Sequence, residues 1–421
     1  MLPSKKIILL FAIPFISLQM KVIAQSGPDY FIFKDSIYNN PIDAANLTGI
    51  RIPFKAKVRS YYLFQDLSPT TKEAWALGGS LSWNPSIFSE HITGRVTLAT
   101  SQKIYGQLDR DGTMLLKPGQ EGFAVLQEYA LQFKKDKFLL NIGARELNNP
   151  LLNTSDVRML PATHRGIDIN YLFKEDSYIS LGVADQIKWI NSDRFVDLYE
   201  FAGFDRKELV WVSANRYKTD NMAFGFYYLF AKDYYHGLYT EYYREFNLNN
   251  QIIKLGFQYM HENDVGDGIG GDFNFNMIGI KLDFSIHGIK SFIGYTNVLS
   301  KDKAQEIWSI MPYYNMMIFN FFNRPKEQSV KMGVILELSE ALKLYPNIGF
   351  GFTPNSGEVA SPNQQEYNLT IDYTFLKDFN LKVRGAYVHQ NTIRDLEIYG
   401  KDIVDFRIIL NYKWDYKNYK K

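Results

Sequence analysis

Five residues within one short stretch have side chains that could do chemistry: Ser155, Asp156, Arg158, His164 and Arg165. They lie in the segment RELNNPLLNTSDVRMLPATHRG between Arg145 and Gly166, beside Pro150 and Pro161. Ser, Asp and His within ten residues invite a hydrolase reading, but a triad requires nucleophile, base and acid at hydrogen-bond distance, which neighbours in sequence do not guarantee. A second reading is electrostatic. A loop folded into a pore can set an acid and an arginine across the opening, and their transverse field orients a small zwitterion or carboxylate. Asp156 and Arg158 suit that role, or a salt bridge that holds the loop. Asp264 to Asp272 carries acids among glycines, but the spacing matches no calcium-loop pattern and reads as a turn.

The elements around this loop are strands. From about Lys55 onward the pattern has period 2, in runs of about ten residues separated by turn signals. Trp75, Leu77, Leu81 and Trp83 share one parity, and Ala74, Ala76, Gly78, Ser80 and Ser82 the other. Leu381, Val383, Gly385 and Tyr387 alternate with Lys382, Arg384, Ala386 and Val388. Val404, Phe406, Ile408, Leu410 and Tyr412 alternate with Asp405, Arg407, Ile409 and Asn411. Strand candidates fall near 56–65, 73–83, 92–102, 123–134, 137–146, 166–173, 177–188, 208–217, 220–230, 234–246, 252–263, 273–285, 289–299, 329–338, 342–353, 366–375, 379–389 and 402–412. That makes about 18, with 16 as the alternative. Barrels of this size leave a water channel, whereas about eight strands would fill with side chains. Connections alternate between tight turns, such as Lys134–Lys137, and the long segments 103–122, 147–165, 189–207, 300–328 and 390–401. The apolar segment Trp308–Phe319 either covers the lumen or extends the fourteenth strand.

Composition narrows the class. Of 421 residues, 29 are Tyr, 31 Phe and 6 Trp, and Cys is absent. The aromatics cluster near strand ends, as membrane-interface girdles do. Lys5 and Lys6, the apolar run Ile7–Met20 and Val22-Ile23-Ala24 form an export-signal pattern. Residues 1–24 are therefore expected to be cleaved, with 25–50 a periplasmic lead-in and 51–421 the barrel. Removing Lys5, Lys6 and Lys21 takes Lys+Arg from 47 to 44 against 45 acids, a net charge of −1. No overall basic field points to nucleic acid. The fold class expected is an all-β transmembrane antiparallel barrel in a Gram-negative outer membrane.

Asn153 to Gly166, with its Ser-Asp-Val-Arg-Met-Leu-Pro core, resembles the signature of the OprD-type family of outer-membrane substrate-specific porins. Val58-Arg59-Ser60-Tyr61-Tyr62, Glu73 to Gly79, Asp233-Tyr234-Tyr235 and Val404 to Tyr412 resemble further parts of that family in the same order. Met159 and His164 depart from it, as does a tail running from Lys413 to Lys421 past the last strand. The resemblance implies an 18-stranded monomeric barrel. It also implies third and seventh loops folded inward as a constriction, and a ladder of basic side chains guiding carboxylate-bearing solutes.

A ladder can be placed on this sequence. If the barrel closes, Arg59, Arg407 and Arg384 lie on three adjacent strands, and the last two oppose the apolar parity. A guanidinium facing lipid costs about 2–4 kcal/mol at the midplane, so the lumen is the preferred side. Pairing of each with an acid such as Asp405 or Glu366 is the competing reading. The function expected is passive, partly selective diffusion of small carboxylate-bearing solutes: amino acids, short peptides or organic acids. An adhesive or structural barrel is the first alternative and a barrel hydrolase a remote one. No cofactor is expected. The expected partners are solutes, outer-membrane lipid and lipopolysaccharide, and the barrel-assembly machinery, with the chain a monomer or a trimer.

Overall fold

A computed structural model describes residues 54–87, 91–174, 176–248, 251–355 and 357–415. The export signal and lead-in read from the sequence lie outside these residues. The barrel strands are numbered in chain order. They begin with β1 (Phe54–Asp66), β2 (Thr71–Trp83), β3 (Ile92–Tyr105), β4 (Phe123–Lys135), β5 (Phe138–Arg145) and β6 (Thr163–Lys174). Next come β7 (Ser177–Lys188), β8 (Val210–Lys218), β9 (Met222–Ala231), β10 (Tyr235–Leu248), β11 (Gln251–Asp264) and β12 (Asn274–Ile286). The last are β13 (Ile289–Val298), β14 (Gln328–Glu337), β15 (Leu342–Phe352), β16 (Gln364–Leu376), β17 (Phe379–Gln390) and β18 (Asp402–Asp415).

Each strand pairs antiparallel with its neighbours in sequence, and β1 pairs with β18, which closes the 18-stranded barrel. β18 continues through Lys413 and Trp414 to Asp415, so the tail expected after Tyr412 starts later than the sequence suggested. Lys413 belongs to the strand because it pairs with Lys57 across the closing seam.

The side chains on the two faces explain the closure. On β2, Trp75, Leu77, Leu81 and Trp83 are exposed at 42, 45, 51 and 46%, while Ala74 and Ala76 are wholly buried. On β18, Val404, Phe406, Ile408 and Leu410 are exposed while Asp405 and Arg407 are 1 and 4% exposed. Large apolar groups outside and ions inside invert a water-soluble protein, and fit a barrel whose outer face meets lipid.

Strand direction puts most long connections at one rim. Opposite them are tight turns such as His287-Gly288, where both residues have positive φ (49° and 80°), as a type I′ hairpin demands. Two long-rim connections turn into the lumen: residues 146–162, the third loop, and 299–327, the seventh. Trp308–Phe319 therefore covers the lumen and adds nothing to β14, which starts at Gln328. Its apolar side chains pack on the lumenal faces of the middle strands. Trp308, Met311 and Tyr313 join Tyr199, Tyr235, Tyr239 and Phe275 in one buried cluster. A second cluster joins Met159 and Leu160 of the third loop to Tyr61, Leu63 and Ala76 on β1 and β2. The hydrophobic core thus sits under the inward loops.

Candidate constriction site

The third loop is tied down by its own polar residues. Thr154 Oγ1 accepts from Leu147 N at 2.9 Å, and Asn149 Oδ1 accepts from Leu151 N at 2.9 Å. Asn153 joins it to the seventh loop: its Nδ2 donates to the Ile310 carbonyl at 2.8 Å and its Oδ1 accepts from Ile310 N at 3.3 Å. Lys188 Nζ, from β7, donates to the Pro161 carbonyl at 2.7 Å. Irregular backbone inside a barrel needs such partners, because every polar group must be satisfied away from bulk water.

Arg59 of β1 meets this loop. Its guanidinium donates to Asp156 Oδ1 at 2.7 Å and Oδ2 at 3.2 Å, and also to the Arg158 carbonyl. Asp156 and Arg59 therefore form a direct two-point pair. Arg158 does not face Asp156 across an opening. Its Nε donates to the Thr113 carbonyl at 2.8 Å, and it is 8% exposed. Burial, together with the nearby Arg407, pulls its pKa below the ordinary arginine value. The loop arginine thus joins the wall arginines instead of opposing them.

On the wall, Arg384 of β17 and Arg407 of β18 are direct cross-strand partners. Arg407 donates to both oxygens of Asp405, at 2.6 and 2.8 Å, and to the Ile318 carbonyl at 3.2 Å. Glu366, the other acid weighed as a partner, instead accepts backbone N–H groups of the seventh loop. Arg59, Arg158, Arg384 and Arg407 all line one cavity of about 1550 Å³, with Asp156 beside them. Toward the short-turn rim the same cavity is lined by Lys57, Lys382 and Lys413. Lys57 and Lys413 are direct cross-strand neighbours, and Lys382 pairs with Asp372 at 3.4 Å. These lysines were readable in the sequence: Lys57 shares parity with Arg59, and Lys382 with Arg384.

Two sequence candidates lie elsewhere. Arg165 shares parity with Ile167 and Ile169, which are exposed on the outer face. It is ion-paired with Asp185, the residue left over by a β-bulge in β7. A stable pair on the outer parity has no access to the lumen, so Arg165 is not part of the constriction. Ser155 and His164 are 2 and 0% exposed, and among the described residues no hydrogen bond joins them. That geometry supplies no activated nucleophile. In the Asp264–Asp272 turn, Asp264 accepts from Phe273 N at 3.2 Å and Asp267 pairs with Arg206 at 3.5 Å.

A closed, apolar-skinned barrel with a charged lumen narrowed by two loops defines an outer-membrane β-barrel channel. A family model described as outer membrane porin, OprD family, matches residues 97–416, and the chain belongs to that family. No curated protein matches the chain. Solved structures do. A BenF-like porin from Pseudomonas fluorescens Pf-5 superposes with a TM-score of 0.77 at 15% identity, over 86% of this chain and 98% of that one. OccAB2 of Acinetobacter baumannii gives 0.74 at 18% identity, over 86% and 98%. Pseudomonas aeruginosa OpdK, crystallised with vanillate, gives 0.72 at 15% identity, over 86% and 98%. At these identities the likeness is one of fold. Porins are non-enzymatic channels, and the chain is an outer-membrane protein of that kind.

Proposed function

We propose that this porin passes small carboxylate-bearing solutes passively and with partial selectivity, and that the arginine cluster gives it the preference. The observation that carries the reading is the gathering of Arg59, Arg158, Arg384 and Arg407 on one cavity beside Asp156 and Asp405. Guanidinium groups in a confined lumen attract carboxylates and hydrogen-bond them in a two-point geometry. The lysines toward the short-turn rim continue the attraction along the path.

The same cavity is lined by Met159, Leu160, Trp189, Met316, Ile318 and Phe319. An apolar lining beside a cationic one favours organic acids with a compact apolar body over sugars, and vanillate, present with OpdK, is an acid of that shape. The export signal at residues 1–24 and the long loops on the cell exterior belong to the same proposal. Liposome swelling with matched panels of organic acids, amino acids and sugars tests it. Organic acids should enter fastest, and equal rates for acids and sugars of one size would overturn it.

A further inference from the structure

Glu366 is wholly buried on the lumenal side of β16. Its Oε1 accepts from Phe319 N at 3.0 Å and its Oε2 from Asn320 N at 2.7 Å. Two consecutive N–H groups meet two acceptor oxygens, a match that only a carboxylate makes. On either side of that point the wall grips the same stretch. Lys331 Nζ, from β14, donates to the Met316 carbonyl at 2.7 Å, and Arg407, from β18, donates to the Ile318 carbonyl at 3.2 Å. Three alternate strands thus hold the segment 316–320.

A second, independent feature points the same way. Gly349 and Gly351 lie on the lumenal parity of β15, beneath this segment. A Cβ at Gly349 would fall 2.3 Å from Met317 Sδ and 2.8 Å from the Phe322 ring. At Gly351 it would meet the Glu327 carboxylate first and the same ring at 2.7 Å. The wall is hollowed to seat Met317 and Phe322. Met316, Met317, Ile318 and Phe319 in turn line the cavity, so the seated segment is itself a wall of the pore.

We infer that Glu366 is a positioning residue that latches segment 316–320 against the barrel wall and so sets the width of the pore. Arg407 acts with it, holding the loop as well as lining the path. The wall side chains replace the water that this irregular backbone would otherwise need. Hydrogen bonds to a charged acceptor are the strong ones, so losing two of them shifts the seated-to-released ratio by at least roughly tenfold. The inference holds whichever solute the pore prefers.

The test is single-channel recording in KCl of the full chain carrying Glu366→Ala and, separately, Gly349→Val. Valine suits a strand, so it evicts the loop without weakening β15. Folding is checked by heat-modifiable gel mobility, and release by chymotrypsin cleavage at Phe319, Phe321 or Phe322. Both folded variants should conduct more than the wild type, spend at least roughly tenfold less time in narrow states, and be cut in this segment. Glu366→Gln keeps one acceptor and should fall between. Folded variants with wild-type conductance and an uncut segment would overturn the inference. If Glu366→Ala does not fold, Glu366→Gln decides, and a folded Glu366→Gln with wild-type conductance and an uncut segment overturns the inference.

Discussion

Arg59 holds Asp156 by two hydrogen bonds, yet the Asp156 side chain is 46% exposed. A pair that wet contributes less than about 1 kcal/mol to folding. Asp156→Asn should therefore leave the barrel's denaturant midpoint almost unchanged while removing a counter-charge from Arg59. The reversal potential across a KCl gradient should move toward anion selectivity, and a move toward cations would contradict the placement. Sequence reading named Asp405 as a partner for the wall arginines, which Arg407 takes, but did not pair Arg59 with Asp156. Parity can say that Arg384 and Arg407 face inward. It cannot say that Arg158 turns back to the Thr113 carbonyl, because that depends on a loop path no alternation records. Arg165 was within reach of the sequence, since its parity with Ile167 and Ile169 already places it outside. Glu306 carries a pH prediction. It sits partly buried in the seventh loop, where Asn323 Nδ2 donates to it at 2.9 Å. Burial pushes its carboxyl up to about 7. In an unfolded chain a glutamate titrates near about 4.3. The folded value is the higher one, so its stabilising effect is complete below about 4.3 and is lost as pH rises through about 7. Current noise from the loop should grow between pH 6 and pH 8 and flatten in Glu306→Gln; a pH-independent wild type would contradict this.

The strands were the most legible elements, for a physical reason. Each has one face in lipid and one in the lumen, so its side chains must alternate over its whole length. Leu77 on β2 is exposed at 45% and Ser80 lines the lumen. Leu77→Arg should cost about 2–4 kcal/mol in a guanidinium-dependent refolding titration into lipid, and Ser80→Arg close to nothing. Equal costs would mean that the two faces are wrongly assigned. Loops carry no such period. The Trp308–Phe319 segment is apolar because it packs on the lumenal faces of Tyr235, Tyr239 and Phe275, and apolarity alone could not separate that from a strand extension. Its inward course came from family resemblance, not from the residues. Glu366 was visible as an acid on an inward parity, but its two backbone partners lie more than forty residues away in the chain.

For the molecule as a whole, a near-neutral charge conceals a polarised interior. One cavity gathers Arg59, Arg158, Arg384 and Arg407, and its lining also holds locally matched charges such as Arg145 with Asp168, while Lys281 and Asp283 pair elsewhere on the wall. Fields focused by low-dielectric walls raise the local concentration of the opposite charge, which a sum over the chain does not register. Arg384 is the member to test, because Arg407 also holds the seventh loop and Arg59 the third. The direct measurement is liposome uptake of an aromatic monocarboxylate and of an uncharged analogue of the same size, for the wild type and Arg384→Glu. The account predicts that the wild type favours the carboxylate and that the variant loses that preference by roughly tenfold while passing the neutral analogue unchanged. A wild type that passes both equally, or a folded variant that keeps the preference, would contradict it.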